Sequence, residues 1–358
     1  MAARMFSRSD LVVLLGSLVA IAAAGITRYA GSPAVLAFVV AAVAVALLAS
    51  VVGRSVEQMG DRFGSGATGV LQSALGNLPE LFIGFFALRA GLVAVVQAAI
   101  IGSILSNILL VLGLAFVVGG LRHGIQRFDS DRARTSAVLM VLATGALVLP
   151  SLAAYVHAPA AAHERGLSLV VSIVLLVVFV LSLPSALRRT PPAAGQDQPA
   201  PAEHTSRWPL WLAVALLTVA SVAAALVSDW FVTALEPAIA ALGISQAFAG
   251  LVVVAIAGNA IENVVGIQLA YRNHADFALS VIIQSPLQVA LVLAPALVLL
   301  SLFTATALTL VFAPLLVMAV AVTVIAVAFV VFDGEATWLE GTILIALYAI
   351  IATTFWWG

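Results

Sequence analysis

Glu80 and Glu262 occupy matching places in two copies of one short motif, GNLPELFIG (76–84) and GNAIENVVG (258–266). Gly76, Asn77, Glu80 and Gly84 recur as Gly258, Asn259, Glu262 and Gly266, a constant offset of 182 residues. The same offset carries GSILSN (102–107) onto QSPLQV (284–289), pairing Ser103 with Ser285 and Ser106 with Gln288. Each glutamate lies well inside an apolar run long enough to cross a bilayer. A charged carboxylate at that depth costs at least about 2.5 kcal/mol, so a facing pair must be neutralised by protons or by a cation. One divalent cation and two protons restore the same neutrality. An empty, doubly charged site is costly to carry through a closed state, so the pair predicts movement only when loaded. Coupled antiport is the chemistry that follows.

The neighbours supply oxygen. Asn77 and Glu80 share one helix face, as do Asn259 and Glu262, because residues three apart are neighbours on a helix. Ser103, Ser106 and Asn107 form a second group, and Ser285 and Gln288 a third. Hard cations such as Ca²⁺ take six to eight oxygen ligands from carboxylates, amides, hydroxyls and carbonyls. The chain has no cysteine, so thiolate metal sites, disulfides and thiol catalysis are excluded. The metal-binding candidates are therefore Glu80 and Glu262. Backbone carbonyls add to the set. Pro79 cannot donate to the carbonyl of Leu75, and with Gly76 beside it the helix can open. Gly258 holds the matching place in the second copy, and Pro286 frees the carbonyl of Ile282. Gly84 and Gly266 allow close approach of neighbouring helices.

Each residue also has a plainer reading. An isolated intramembrane Glu can be a structural hydrogen-bonding group, and Ser hydroxyls often satisfy their own helix carbonyls. Gln97 reads as a helix–helix hydrogen-bonding residue. Glu57, Asp229 and Glu236 are candidates for a gate or proton path, or solvated carboxylates at helix ends. The five histidines read as surface residues, and DGEATWLEG (333–341) as a turn with a solvated acidic cluster.

These residues need elements to position them. Of 358 residues, 63% are hydrophobic and 9% charged, with a mean hydropathy of +1.20. Soluble domains carry about 25% charged residues, so the chain reads as an all-α polytopic membrane protein. Apolar runs of about 20 residues predict eleven spans, at about 10–29, 33–53, 66–89, 93–119, 134–156, 166–187, 208–231, 246–270, 276–301, 304–331 and 338–356. Arg4 and Arg8 ahead of the first run resemble a signal peptide, but ITRYAGSPAV lacks a cleavage pattern, so a retained helix is expected. The segment 188–207, rich in Pro, Ala and Gln, reads as a disordered linker. The organisation is then an extra N-terminal helix (1–32), a first five-helix repeat (33–187), the linker (188–207) and a second repeat (208–358).

Five spans separate equivalent helices, and an odd number makes the repeats cross in opposite directions. Inverted repeats of this kind are the architecture of secondary transporters, whose ion sites lie near the midplane where the repeats meet. Twelve of the fifteen arginines fall in loops on the N-terminal side. The positive-inside rule therefore puts the N-terminus and linker in the cytoplasm and the C-terminus outside. The absence of Lys and the short N-terminus favour a bacterial plasma membrane.

On these motifs the chain resembles the calcium/cation antiporter superfamily, in its calcium/proton exchanger branch. Residues 76–113 resemble the first signature repeat of that branch, and 226–263 the approach to its second. The resemblance implies that Glu80 and Glu262 bind the cation and exchange it for protons, with Asn, Ser and Gln neighbours contributing oxygens. The branch usually places His after the second glutamate, where this chain has Asn263. It usually has a Gly-Ser pair where this chain has Gln284 and Ser285, followed here by Pro286. The expectation is Ca²⁺/H⁺ exchange by alternating access, with Na⁺/H⁺ or Na⁺/Ca²⁺ exchange on the same fold as the alternative. An ion channel is the reading from another class, and buried ionisable pairs at a broken helix argue against it. No Ser/His, Asp/Asp or His-rich constellation lies within the spans, so an enzyme is not expected. No cofactor is expected beyond the transported cation and H⁺. The partners are inorganic cations, protons and the lipid bilayer, without nucleic acid, and the oligomeric state is left open.

Overall fold

The computed structural model describes residues 5–63, 75–187 and 207–357; side chains at 60–63, 132, 184–187, 261 and 262 also fall outside its description. Of the expected linker, 188–206 lies outside the described residues. In lipid every backbone N–H and C=O must find a partner within the chain, and an apolar sequence meets that demand as helix. The helices, in order, are α1 (Arg8–Tyr29), α2 (Ala34–Phe63), α3 (Leu78–Arg89), α4 (Val93–His123), α5 (Ser130–Tyr155) and α6 (Glu164–Leu187). The second half holds α7 (Leu210–Leu242), α8 (Gln246–Gly258), α9 (Ala260–Tyr271), α10 (Ala275–Phe303), α11 (Pro314–Val330) and α12 (Trp338–Trp356). Among the described residues eight helices are long and apolar enough to cross a membrane, or nine when the bent pair α8/α9 counts as one span. The expected eleven requires α3 and α11, of 12 and 17 residues, as two further crossings.

Contacts between loops sort the helix ends into two groups. At one end, which we call the linker end, Arg54 pairs with Asp10 at 2.6 Å, and Gln58 accepts from the backbone N–H of Arg207 and Trp208. There too His123 meets the carbonyl of Tyr271, and Asp129 N–H donates to Asp276 at 2.6 Å. A two-residue ribbon joins β1 (Gln126–Arg127) to β2 (Glu335–Ala336), antiparallel, with Arg127 opposite Glu335. At the far end Tyr29 packs edge-on against Trp230, and Ser245 N–H donates to the carbonyl of Trp356. α4 therefore starts at the far end and α10 at the linker end. The two site-bearing halves are inverted, and α1 begins and α12 finishes at opposite ends of the bundle.

Three expected boundaries are corrected. The seventh span was expected to end near 231, but α7 runs 33 residues to Leu242, about 50 Å at 1.5 Å per residue against a core of about 30 Å. α2 likewise continues to Phe63 rather than stopping near 53. Glu57 and Glu236 thus sit within helices that outrun the hydrocarbon, not beyond helix ends. The third correction concerns 304–313, expected as helix and in fact non-helical. Its side chains alternate, with Leu308, Leu310 and Phe312 buried. Pro314 disfavours helix at Ala313, and neighbouring helices replace the missing backbone bonds. Gln97 donates to the carbonyls of Thr309 and Val311 at 3.0 and 2.9 Å. Ser151 donates to the carbonyl of Leu310 and accepts from Phe312 N–H, Ser168 accepts from Leu310 N–H, and Tyr155 donates to the carbonyl of Phe312. Thr306 ties the segment to the carbonyl of Leu88 at the end of α3. Gln97 is thus a hydrogen-bonding residue, but to a non-helical segment rather than to a helix.

The acidic turn at 333–341 is also more than solvated charge. Thr337 caps α12 reciprocally with Glu340, satisfying two backbone donors that a helix start leaves open.

Candidate cation site

Both motifs break their helices at the asparagine. Asn77 has φ −91° and ψ 13°, and Asn259 has φ −98° and ψ 12°. The first copy has Pro79 in the opening turn of α3, where a missing N–H costs nothing. The second copy breaks at the same register with Ile261 in that place. Asparagine tolerates this bridge-region conformation, so Asn77 and Asn259, rather than Pro79, are common to both breaks. In the second half α8 and the helix after the break bend by 63°.

The break aims Glu80 inward from the first turn of α3, where it is 8% exposed. Two donors converge on its Oε1. Ser103 Oγ on α4 donates at 2.6 Å, and Asn259 Nδ2 from the second motif donates at 2.6 Å. Asn259 also reaches Ser103 Oγ at 3.1 Å and the carbonyl of Ala255 at 2.9 Å. The chain of donors continues outward. Ser285 Oγ donates to Asn259 Oδ1 at 3.2 Å, and Asn107 Nδ2 donates to Ser285 Oγ at 3.2 Å and to the carbonyl of Ser103 at 2.9 Å. One path of donors, from Asn107 through Ser285 and Asn259, runs toward the Glu80 carboxylate, and a chain of this kind polarises cooperatively. The donors come from both halves, so the site exists only where the repeats meet.

Close helix approach makes this possible. Gly258 ends α8 directly against Glu80, and a Cβ there would overlap the glutamate's Cγ and Cδ. Gly102, next to Ser103, meets the backbone of Leu251, and Gly250 meets the carbonyl of Val95. These two contacts lock α4 against α8. Gly84 and Gly266 allow the close approach expected of them, but to side chains, those of Leu297 and Ile282, rather than to backbone. Three helices also widen to a π turn near the site, at Ser106–Val111, Ala249–Val254 and Val289–Leu293. The first and third fall at matching places in α4 and α10, and such bulges often mark functional sites. Beside Glu80 lies an apolar cavity of about 20 Å³, lined by Ile83, Gly84, Val96, Ile100, Ser103 and Leu297, with room for about one water.

The remaining expected residues divide. Asn77 Nδ2 donates to Gln288 Oε1 at 3.3 Å, again across the halves. Ser106 donates to the carbonyl of Ser103 in its own helix, the plainer of its two readings. The buried amide oxygen Oδ1 of Asn107 has no hydrogen-bond partner among the described residues. Pro286 is buried in α10 between Ser285 and Gln288. Glu262 has its backbone in α9, and its side chain lies outside the described residues. Glu57, Asp229 and Glu236 are exposed on α2 and α7 and do not join the cluster. Sequence reasoning did not find Gly102 and Gly250. Both are visible as small residues in apolar helices, but only the fold shows which backbone each one meets.

The sequence matches the family described as sodium/calcium exchanger protein over residues 33–186 and 212–357. It is 34% identical to a Ca(2+)/H(+) antiporter of Aphanothece halophytica over 334 residues, covering 89% of each chain. It is also 34% identical to the Ca(2+)/H(+) antiporter ChaA of Bacillus subtilis, covering 90% of this chain and 92% of that one. The solved structure of native YfkE superposes with a TM-score of 0.82 at 30% identity, covering 96% of this chain and 99% of that one. The structure of the H+/Ca2+ exchanger CAX shares the fold at a TM-score of 0.72 and 17% identity, covering 96% and 92%. On this match, and on relatives that align along nearly their whole length, the chain belongs to the sodium/calcium exchanger protein family.

Proposed function

We propose that the chain is a secondary active antiporter that exchanges Ca²⁺ for H⁺ by alternating access, with Glu80 and Glu262 as the exchangeable carboxylates. The observation that carries this reading is the buried Glu80 carboxylate, held between inverted repeats by Ser103 of one and Asn259 of the other. A proton or a cation neutralises it, and each loaded form is cheaper to carry through a closed state than the bare charge. Asn77, Asn107, Asn259, Ser103, Ser285 and Gln288 supply neutral oxygens suited to a hard cation. The antiporter relatives support Ca²⁺ as that cation. Eleven crossings, a cytoplasmic N-terminus and linker, and a bacterial plasma membrane complete the reading, on the arginine distribution.

The test is flux in proteoliposomes carrying an imposed pH gradient. Radiolabelled Ca²⁺ is expected to accumulate against its gradient and to stop accumulating when the pH gradient is collapsed. Na⁺-driven Ca²⁺ uptake without a pH gradient would instead assign Na⁺/Ca²⁺ exchange. Uptake with neither gradient, accompanied by electrical conductance, would assign a channel.

A further inference from the structure

Neither α4 nor α10 exposes a large apolar side chain between its first residue and residue 120 or 300 respectively. Other long helices face outward with Val, Leu and Ile, as α6 does with Val170, Ile173, Val174 and Val177. On α4 the stretch 95–120 has no exposed residue. On α10 the stretch 275–300 has two, and both are polar: Ser280 and Gln284. A lipid-facing surface made only of Ser and Gln is costly, because the amide would lose its hydrogen bonds to water. That strip of α10 therefore faces water.

The two residues belong to a longer row. Asp276, Ser280, Gln284 and Gln288 are spaced four apart, which stacks them along one side of the helix. The row starts at the linker end, where Asp276 accepts from Asp129 N–H. It ends at Gln288, 4% exposed, whose Oε1 accepts from Asn77. The equivalent row on α4 is Ala94, Ala98, Gly102 and Ser106. It is apolar except at its inner end, and Gly102 is closed against the backbone of Leu251. The inverted halves thus differ along their otherwise matching helices: one carries polar, wet rungs and the other a dry seal.

Resting on the antiport reading, we infer that the Asp276–Ser280–Gln284–Gln288 row is the track by which the cation reaches Glu80 from the linker end. Asp276 places negative charge at the mouth and raises the local concentration of a divalent cation. Gln284 offers a carbonyl oxygen that replaces water from the ion's shell one turn before the buried Gln288. Gln284 is a positioning residue on this account. It acts on capture and not on the exchange step at Glu80.

The chain has no cysteine, so single-cysteine variants report directly. Ser280→Cys and Gln284→Cys are expected to react with a charged, membrane-impermeant methanethiosulfonate at least about tenfold faster than Ala98→Cys on the sealed row, and CaCl₂ is expected to slow the reaction at 284. Gln284→Leu is expected to raise the KM for Ca²⁺ at the linker face about tenfold, as for one lost hydrogen bond to a charged group, with the maximal rate within about twofold. Gln284→Asn, which keeps the carbonyl, is expected to recover most of the loss. An unreactive Cys at 284, a reaction indifferent to Ca²⁺, or an unchanged KM in Gln284→Leu would overturn the track. Failure of wild-type Ca²⁺/H⁺ flux would overturn the antiport reading instead, and the labelling rates are measured independently of it.

Discussion

Glu80→Gln is expected to abolish pH-driven Ca²⁺ accumulation in proteoliposomes while the purified protein remains monodisperse and helical. The substitution keeps shape and still accepts from Ser103 and Asn259, which reach Oε1 at 2.6 Å each. It removes the one property the mechanism needs, a charge that a proton or a cation must cancel. An intramembrane charge is worth at least about 2.5 kcal/mol, so the expected loss is about a hundredfold or more. The neutral variant also has no penalty for closing empty. If it instead transported Ca²⁺ at wild-type rate, Glu80 would be a structural hydrogen-bonding residue. Glu262→Gln carries the same expectation on the strength of the repeat.

Gly102→Ala separates packing from chemistry. A Cβ at 102 would lie against the carbonyl oxygen, Cα and carbonyl carbon of Leu251, atoms that cannot rotate away. α4 must then retreat from α8, carrying Ser103 off the Glu80 carboxylate. Overpacking of this kind costs about 1–3 kcal/mol, and we expect transport to fall about tenfold or more with a lowered midpoint of thermal unfolding. Gly84→Ala is the control. The atoms nearest its Cβ are the methyl ends and Cγ of the Leu297 side chain, which can change rotamer, so transport should stay within about threefold. Equal effects of the two substitutions, in flux and in thermal unfolding, would show that the α4–α8 contact does not hold the site.

The repeat made much of the site legible before any coordinates. A doubled GNxxE motif in an apolar chain identified Glu80, Asn77 and Asn259, and counting spans gave the inversion seen in the opposed starts of α4 and α10. What escaped the sequence depends on partners across space. Pro79 drew the eye as the helix breaker, yet the second half breaks at Asn259 without a proline. Gly84 and Gly266 looked like close-packing positions because they follow each Glu by one turn. Where α4 crosses α8 the glycines tight against backbone are Gly102 and Gly250, and a crossing of two distant helices leaves no periodic mark. The non-helical stretch 304–313 looked like helix because apolarity alone cannot separate the two when Gln97, Ser151, Ser168 and Tyr155 supply the backbone's bonds from elsewhere. Gln284 stands out in the sequence only as a departure from the Gly-Ser pair of the branch; its exposure on α10 depends on which helices pack beside it.

Proton release on cation binding tests the central claim most directly, because it reads neutralisation at the paired carboxylates without requiring transport. The purified protein in weakly buffered solution at constant ionic strength is titrated with CaCl₂ while pH is recorded. Wild-type protein is expected to release protons in a saturable step, Glu80→Gln and Glu262→Gln each to release fewer, and the double variant none. Saturable Ca²⁺ binding without proton release, or release undiminished in the double variant, would contradict exchange at this site.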